Sequence, residues 1–418
     1  MKQEQKSLIF SSLSAVIQYY DYHLFGFLAS SIAINFTAQS ADITLALMKT
    51  YLMMFIAVCA KPLGAIILGR IGDIYGRQAA INISIICMAF ASLGISIIPS
   101  YEIIGIFSLI LLLSARMLIC ACASSGSDGV RIYIYEKLGQ KRQNLSVSIA
   151  TVLTIIGSFS AAFSAYVFTL EVLPSYFWRF AFALGGLSGI ILVLVRKFLV
   201  SKQEEEIKKE VKYTEYKSMP LYKIIKENLY IFLLGVVMAG CIGSSYQFCV
   251  IFFGTYSSKI LKIIGESDMK YYTSVAVFIY MISVCVAGFI ADIISNRLIA
   301  TLAGCMLLGL SIINAIYISD LKISIKLYLA IVGTLPFILI PSLSIFKGSI
   351  PIVIRYRMFS LSHAIGSIVI SAPTALIGTF LYHKTQIGWL PILYFIVIIF
   401  AMILALNMLA SIKKVDPD

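Results

Sequence analysis

The segment GRIGDIYGR, residues 69–77, places two arginines, an aspartate and three glycines between two long apolar runs. A related segment, GFIADIISNR at residues 288–297, also follows an apolar run. Asp73 and Asp292 each stand four residues after a glycine, and an arginine follows each aspartate four or five residues later. This recurrence predicts a duplicated chain in which each half carries the same polar turn after its second helix.

The composition predicts that most of the chain is surrounded by lipid. Hydrophobic residues make up 60% and charged residues 13% of the 418 residues, against about 45–50% and about 25% in soluble domains. Apolar blocks near the ~20 residues that cross a bilayer recur throughout. We therefore predict an all-α polytopic membrane protein with twelve transmembrane helices in two pseudo-symmetric six-helix bundles. The blocks fall at residues 10–36, 46–68, 79–98, 104–125, 145–170, 180–199, 228–255, 271–290, 298–318, 325–346, 358–382 and 388–411.

One long polar run divides the two halves. Residues 196–219 alternate in charge, which is typical of a solvated tether or of a short amphipathic helix at the membrane surface. We predict an N-terminal bundle at residues 1–200, a cytoplasmic linker at 201–226 and a C-terminal bundle at 227–418. The apolar start of the chain resembles a signal peptide, but it continues to about Phe36 without a cleavage pattern and is interpreted as the first span.

Positive charge predicts the orientation. One set of alternate loops, including both ends of the chain, holds 23 lysines and arginines, and the other set holds 8. Cytoplasmic loops carry the excess, so both termini and residues 69–78 are expected in the cytoplasm. The basic residues are scattered singly, which argues against nucleic-acid binding. The eight cysteines all lie in predicted spans and indicate neither disulfides nor a metal site.

The chemistry of residues 69–77 suits a gate. Its glycines permit a tight turn between two helices, and Asp73 precedes the third span, where a helix N-terminus stabilises a carboxylate. A plain turn has the same features, but an incidental turn need not recur after the same number of helices. The second copy at residues 288–297 therefore favours gating. Glu136, near the cytoplasmic end of the fourth span, is expected to form an ion pair of the gate.

These residues resemble the major facilitator superfamily. Its loop between the second and third helices reads G-x-x-x-D-x-x-G-R, and Gly69, Asp73, Gly76 and Arg77 match it. The resemblance implies that the aspartate joins a cytoplasmic charge cluster that helps to hold the outward-open state. The gating residues predicted from the motif, its repeat and the fourth span are Gly69, Asp73, Gly76, Arg77, Glu136, Gly288, Asp292 and Arg297.

Other stretches resemble one branch of that superfamily, the metabolite:proton symporters that carry proline/betaine, shikimate, α-ketoglutarate and citrate. They are YYDYHLFG at 19–26, KPLGAIILG at 61–69 and SIPIVIRYR at 349–357. Two acidic positions of the branch pattern are lost, since Gln18 and Gly126 stand there. Asp128, two residues beyond the second position, is a candidate substitute. Proton coupling or substrate class could have changed with these losses.

Ionisable residues deep in a span cost about 2.5–3.5 kcal/mol to insert and usually face the protein interior or a water-filled path. Asp21 is either a proton or solute site or a member of a fixed interhelical ion pair or hydrogen bond. For Arg116 we consider a fork for a solute carboxylate against neutralisation of Asp21. Lys61 could bind solute or reach the membrane surface. The predicted solute and proton residues are Asp21, Tyr20, Arg116, Lys61 and Asp128.

The favoured hypothesis is a secondary transporter of a bacterial inner membrane that imports a small polar metabolite or osmolyte by alternating access. A proton is the expected coupling ion, no other cofactor is implied, and a single chain is expected to function alone. An uncoupled facilitator and a non-transporting sensor with the same fold are the alternatives. The sequence contains no metal-ligand cluster or nucleophile motif that would indicate an enzyme.

Overall fold

The computed structural model describes residues 3–36, 43–75, 77–138, 142–199, 221–350 and 354–412, and within these ranges the chain is helical and contains no strand. The first half contains α1 (Gln3–Phe27), α2 (Ala29–Phe36), α3 (Ile43–Val58), α4 (Lys61–Tyr75), α5 (Arg77–Ile97), α6 (Tyr101–Ile104), α7 (Ile106–Leu138), α8 (Gln143–Val167) and α9 (Trp178–Leu199). The second half contains α10 (Leu221–Glu227), α11 (Leu229–Tyr246), π1 (Gln247–Phe252), α12 (Phe253–Thr255), π2 (Tyr256–Ile260), α13 (Glu266–Ala291), α14 (Asn296–Ser319), α15 (Ile325–Gly348), α16 (Arg355–Gly366), π3 (Ser367–Ser371), α17 (Thr374–Thr385) and α18 (Leu390–Ala410).

Eleven helical stretches of the described chain, from Thr44–Leu68 to Leu390–Ala410, are long and apolar enough to cross a membrane. The pair α1 and α2 precedes them and completes twelve spans. Helices suit this environment because they satisfy every backbone hydrogen bond within one segment, which lipid cannot do. The predicted all-α, twelve-helix class is confirmed.

One break between helices has a local cause. Helix α3 ends at Val58 and α4 begins at Lys61, because Pro62 cannot donate a hydrogen bond to the preceding turn. Helices α1 and α2 divide at Leu28. The tenth span, α15, in contrast stays one helix through Pro336 and Pro341.

Each half forms its own bundle. In the first half α1 packs on α7, α8 and α9, and α5 packs on α7 and α9. In the second half α15 packs on α13 and α14, and α18 packs on α11 and α14. The halves meet mainly where α8 lies on α13, with further contacts of α16 on α4 and α7 and of α17 on α3. We call this interface the seam.

The outward surface of the bundles is apolar. Ile97 is 79% exposed, and Phe90 and Ile66 are each 64% exposed, although all three belong to spans. Large exposed apolar surfaces mark contact with a partner or a membrane. The surface therefore fits the lipid environment that the composition predicts.

One sequence assignment is wrong in detail. The fourth span is predicted to end near residue 125, but α7 continues to Leu138 and includes Arg131. A polar side chain interrupts the run of apolar residues in the sequence. The helix nevertheless continues, because its backbone hydrogen bonds do not depend on the side chain. Residues 201–220 of the predicted linker lie outside the described residues, and the remaining residues of the linker belong to α10.

Candidate functional site

Asp21 lies inside the first bundle. Its side chain is fully buried, and its Oδ1 atom accepts a hydrogen bond of 2.7 Å from the Ser92 hydroxyl on α5. The carboxylate also packs against Gly185 on α9. Oδ2 is buried and has no hydrogen-bond partner. Asp21 therefore faces the packing of α1 with α5 and α9 and not the seam.

Arg116 contacts the backbone beside Asp21. Its Nη2 donates to the carbonyl of Tyr22 at 2.6 Å, and its Nη1 approaches the carbonyl of Asp21 at 3.3 Å. The guanidinium also lies 5.1 Å from the ring centroid of Tyr22 and 4.9 Å from that of Phe25. Its hydrogen bonds are thus made to α1 carbonyls, so α7 holds α1 at the position of the acid.

Tyr20 belongs to the same interior packing. Its hydroxyl donates to the carbonyl of Ala181 on α9 at 2.8 Å, and its ring is buried. Gln18 donates to the Ser84 hydroxyl on α5 at 3.1 Å. These three polar residues of α1, Gln18, Tyr20 and Asp21, therefore bond within the first bundle.

Lys61 lies in the seam. Its ammonium donates to the Ser367 hydroxyl of the second half at 3.3 Å and lies 4.7 Å from the ring centroid of Tyr22. The side chain is only 6% exposed, so it does not reach the membrane surface. Its position where α4 begins, facing π3 of the other half, places a cation between the two bundles.

Aromatic rings fill the seam beside Lys61. His23 on α1 lies 5.1 Å, centroid to centroid, from Tyr246 on α11, and Tyr246 lies 5.5 Å from Tyr280 on α13. Tyr19 and Tyr22 are both close to His23, at 5.6 Å and 5.0 Å. The Tyr246 hydroxyl is also hydrogen-bonded to the Ser158 hydroxyl on α8. We call Tyr19, Tyr22, His23, Tyr246 and Tyr280 the central aromatic cluster.

Asp292 joins the two halves at one end of the seam. Its carboxylate accepts hydrogen bonds from the backbone N–H groups of Asn144 at 2.9 Å and Leu145 at 3.1 Å. The Asn144 amide donates to the Ala291 carbonyl at 2.8 Å and to Asn296 Oδ1 at 2.9 Å. Because α8 begins at Gln143 without a side-chain cap of its own, Asp292 supplies the cap from the other half. We call this contact the Asp292 clamp.

Gly288 lies one turn before Asp292, where α13 packs closely against α8. A Cβ atom at this position would lie 2.0 Å from Ser148 Oγ and 2.7 Å from Ser148 Cβ. Only glycine, which has no Cβ atom, lets α13 lie this close to α8 without a clash with Ser148. Arg297, the last residue of the repeat, instead donates to Asn407 on α18 at 2.8 Å, within its own half.

The first copy of the motif is described in part. Gly69 and Asp73 belong to α4, which ends at Tyr75, and Arg77 begins α5. Gly76 and the side chains of Asp73 and Arg77 lie outside the described residues. Asp128 and Glu136 lie on α7, and their side chains also fall outside that description.

Sequence reasoning did not single out the second-half members of the aromatic cluster. Tyr246 and Tyr280 lie 34 residues apart on different spans, and the fold alone brings them to His23. A polar hydroxyl in the middle of each apolar run was the available signal. The π segments were not predicted either.

Two membrane-spanning helix bundles that meet along a seam are the arrangement of a secondary transporter. Residues 11–351 match the Major Facilitator Superfamily, and the chain belongs to this superfamily. It is therefore a multi-pass membrane transporter of a small molecule and not an enzyme.

Similar proteins come from bacteria. The chain is 25% identical over 395 residues to "Putative proline/betaine transporter" of Staphylococcus aureus, covering 92% of this chain and 83% of the relative. It is 24% identical over 382 residues to "Citrate-proton symporter" of Klebsiella pneumoniae, covering 88% and 83%. The crystal structure of D-xylose-proton symporter superposes with a TM-score of 0.71 at 12% identity, over 98% of both chains.

Proposed function

We propose that this transporter imports a small metabolite that carries both a carboxylate and a cationic group, such as proline or a betaine, together with a proton. The observation that supports this most strongly is the arrangement on α1. Asp21 faces the interior of the first bundle, while the adjacent Tyr22 and His23 face the seam. Arg116 contacts the carbonyls of both Asp21 and Tyr22.

Asp21 is the proposed proton site. An ionised carboxylate here leaves Oδ2 buried without a donor, and an unpartnered buried charge is costly. A proton on Oδ2 removes the charge while the Ser92 hydroxyl stays in contact. Loading and release of the proton would then favour different positions of α1, and Arg116 would transmit the change to Tyr22.

Lys61 and the central aromatic cluster are the proposed solute site. The Lys61 ammonium is a suitable partner for a carboxylate. Rings within about 6 Å of a cation attract it, which suits a secondary or quaternary ammonium group placed among Tyr22, His23 and Tyr246. The relative named for proline/betaine transport supports this substrate class.

The Asp292 clamp is the proposed gate at the cytoplasmic end. The charge distribution of the loops supports this orientation, with both termini on the cytoplasmic side of a bacterial inner membrane. The repeat suggests an equivalent capping role for Asp73 in the first half. We infer that the two clamps close the cytoplasmic end while the outer end opens, and that one chain suffices for the cycle.

The energy of one proton is sufficient for uptake. A charge that moves through 100 mV supplies about 2.3 kcal/mol, enough for roughly fiftyfold accumulation of a neutral solute. Proteoliposomes loaded at one pH and diluted into another test the proposal with labelled L-proline, glycine betaine and citrate. Accumulation driven by the pH gradient supports symport.

Equilibration without accumulation would instead identify an uncoupled facilitator, an alternative favoured by the neutral Gln18 at an acidic position of the related symporters. Binding without uptake would identify a sensor. Protein-free vesicles of the same lipid composition control for leak.

A further inference from the structure

A second charged site lies at the end of the seam opposite to the Asp292 clamp. Glu266, the first residue of α13, contacts the ammonium groups of Lys259 on π2 and Lys270 on α13, the latter at 2.9 Å. All three side chains are partly exposed, at 26% for Lys259, 31% for Glu266 and 19% for Lys270. We call these three residues the outer triad.

The outer triad also connects the two halves. The Ser30 hydroxyl on α2 donates to Glu266 Oε1 at 3.0 Å, and Lys270 donates to the Thr169 hydroxyl, which follows α8, at 2.8 Å. Each half therefore contributes polar groups to one small charged site. Two lysines and one glutamate give this site an excess positive charge.

A small cleft adjoins the triad. Phe27 and Ala165 of the first half and Ile251 and Met269 of the second half form its apolar walls, and the triad is part of its lining. The π2 segment, on which Lys259 lies, forms another part of it. Wide helical turns of this kind are frequent at functional sites.

The cleft lies next to the central aromatic cluster along α1 and α2. Ser30 is seven residues beyond His23, a rise of about 10 Å. Between them, Gly26 packs against Ile251, and a Cβ atom at Gly26 would lie 2.9 Å from Ile251 Cγ2. The contact separates the cleft from the cluster, so a solute in the cleft would wait immediately outside the central site.

We propose that this cleft is a loading site for carboxylate-bearing solutes, in which the solute carboxylate replaces Glu266 on Lys259 and Lys270. The Glu266 carboxylate occupies the position that such a ligand would take, with donors from two lysines and Ser30. Its displacement breaks the Ser30 contact, which loosens the outer end of the seam. The inference rests on the proposed function for its direction, outside to inside.

Binding can be tested without transport. The full chain, with its eight native cysteines replaced and Ser258→Cys introduced in the cleft wall, is reconstituted in vesicles and labelled from outside with an impermeant maleimide. L-proline, glycine betaine and citrate are the probes. We expect at least one of them to slow labelling, while Ser319→Cys, exposed beyond the cleft, reacts at an unchanged rate.

Variants of the triad give opposite expected shifts. Lys270→Gln and Lys259→Gln raise the probe concentration for half-maximal protection about tenfold or more, because a charged hydrogen bond is lost. Glu266→Gln lowers this concentration, because an amide holds the two lysines more weakly and leaves them more available to the probe. Lys322→Gln, an exposed lysine outside the cleft, leaves it unchanged.

Three results overturn the proposal: Ser258→Cys does not react from outside, no probe slows its reaction, or protection is the same in Lys270→Gln as in the parent. A purely mechanical closure predicts that Glu266→Gln and Lys270→Gln both speed labelling and leave protection unchanged. If protection is found but no probe accumulates in the vesicles, the proposed transport function fails and the loading site stands. If a probe accumulates in the vesicles but gives no protection, the proposed transport function stands and the loading site fails.

Discussion

The Asp292 carboxylate of the second half accepts a hydrogen bond of 2.9 Å from the backbone N–H group of Asn144, which lies near the start of a helix of the first half. This contact caps α8 with a charge that belongs to the other bundle. A carboxylate at a helix N-terminus interacts favourably with the helix dipole as well as with the free N–H groups. The cap is lost whenever the two bundles separate at this end, so it stabilises one conformation of the transporter selectively.

Asp292→Ala is expected to open this end of the seam. The change removes two hydrogen bonds to a carboxylate, which together contribute about 2 kcal/mol or more, a shift of about thirtyfold between conformations. In a chain whose eight native cysteines are replaced, Thr151→Cys, buried about one turn beyond Ser148 on α8, reports the opening through its rate of maleimide labelling. We expect faster labelling in Asp292→Ala and no change in Asp320→Ala, whose carboxylate lies outside the seam. Equal labelling rates in both variants would show that the Asp292 clamp does not hold this end of the seam closed.

Gly288→Ala is expected to reduce transport more than tenfold, because its methyl group would overlap Ser148 and hold the bundles apart. Uptake into proteoliposomes measures the loss. The double variant Gly288→Ala/Ser148→Gly removes the overlapping side chain and should restore part of the activity. Gly309→Ala is the matched control, since a Cβ atom there meets nothing within 4 Å. A Gly288→Ala protein as active as the parent contradicts the close approach.

Lys61→Gln is expected to weaken binding of solutes that carry a carboxylate. Loss of a charged hydrogen bond in a buried site raises the half-saturating concentration about tenfold or more. Inhibition of uptake by unlabelled L-proline measures the change. Lys384→Gln, an exposed lysine at the end of α17, serves as the control and should match the parent. An unchanged Lys61→Gln protein would leave Lys61 a structural contact of Ser367.

Tyr246 separates two contributions to the aromatic cluster. Tyr246→Phe keeps the ring and loses the hydroxyl contact with Ser158, whereas Tyr246→Leu loses both. Because a cation binds the face of the ring, glycine betaine should bind nearly as well to Tyr246→Phe and about tenfold more weakly to Tyr246→Leu. Competition against labelled solute measures both values. Equal losses in the two variants would assign the effect to the hydroxyl group.

The sequence predicts the fold well because lipid imposes a simple rule. Each span must be long, apolar and helical, so the twelve blocks could be placed from composition alone. The repeat at residues 288–297 could likewise be found by comparison of the halves. Its second aspartate, Asp292, makes a contact across the seam that the repeat could not specify in atomic detail.

The direction of each polar side chain could not be predicted in the same way. Helix α1 is buried on several sides, so its apolar pattern does not show which side faces the seam. Asp21 and His23 are two residues apart and point to different surroundings, one to Ser92 and the other to Tyr246. The outer triad joins residues of two elements to Ser30 of the other half, a combination that only the packed bundles create.

Asp21→Asn tests the central claim most directly, that the buried acid of α1 couples a proton to solute movement. The amide retains an oxygen that can accept the Ser92 hydrogen bond but cannot exchange a proton, so the packing of α1 is preserved. We predict that Asp21→Asn vesicles lose accumulation driven by a pH gradient and continue to exchange labelled for unlabelled solute, while Asp320→Asn retains both. Accumulation in Asp21→Asn equal to that of the parent chain would contradict the account.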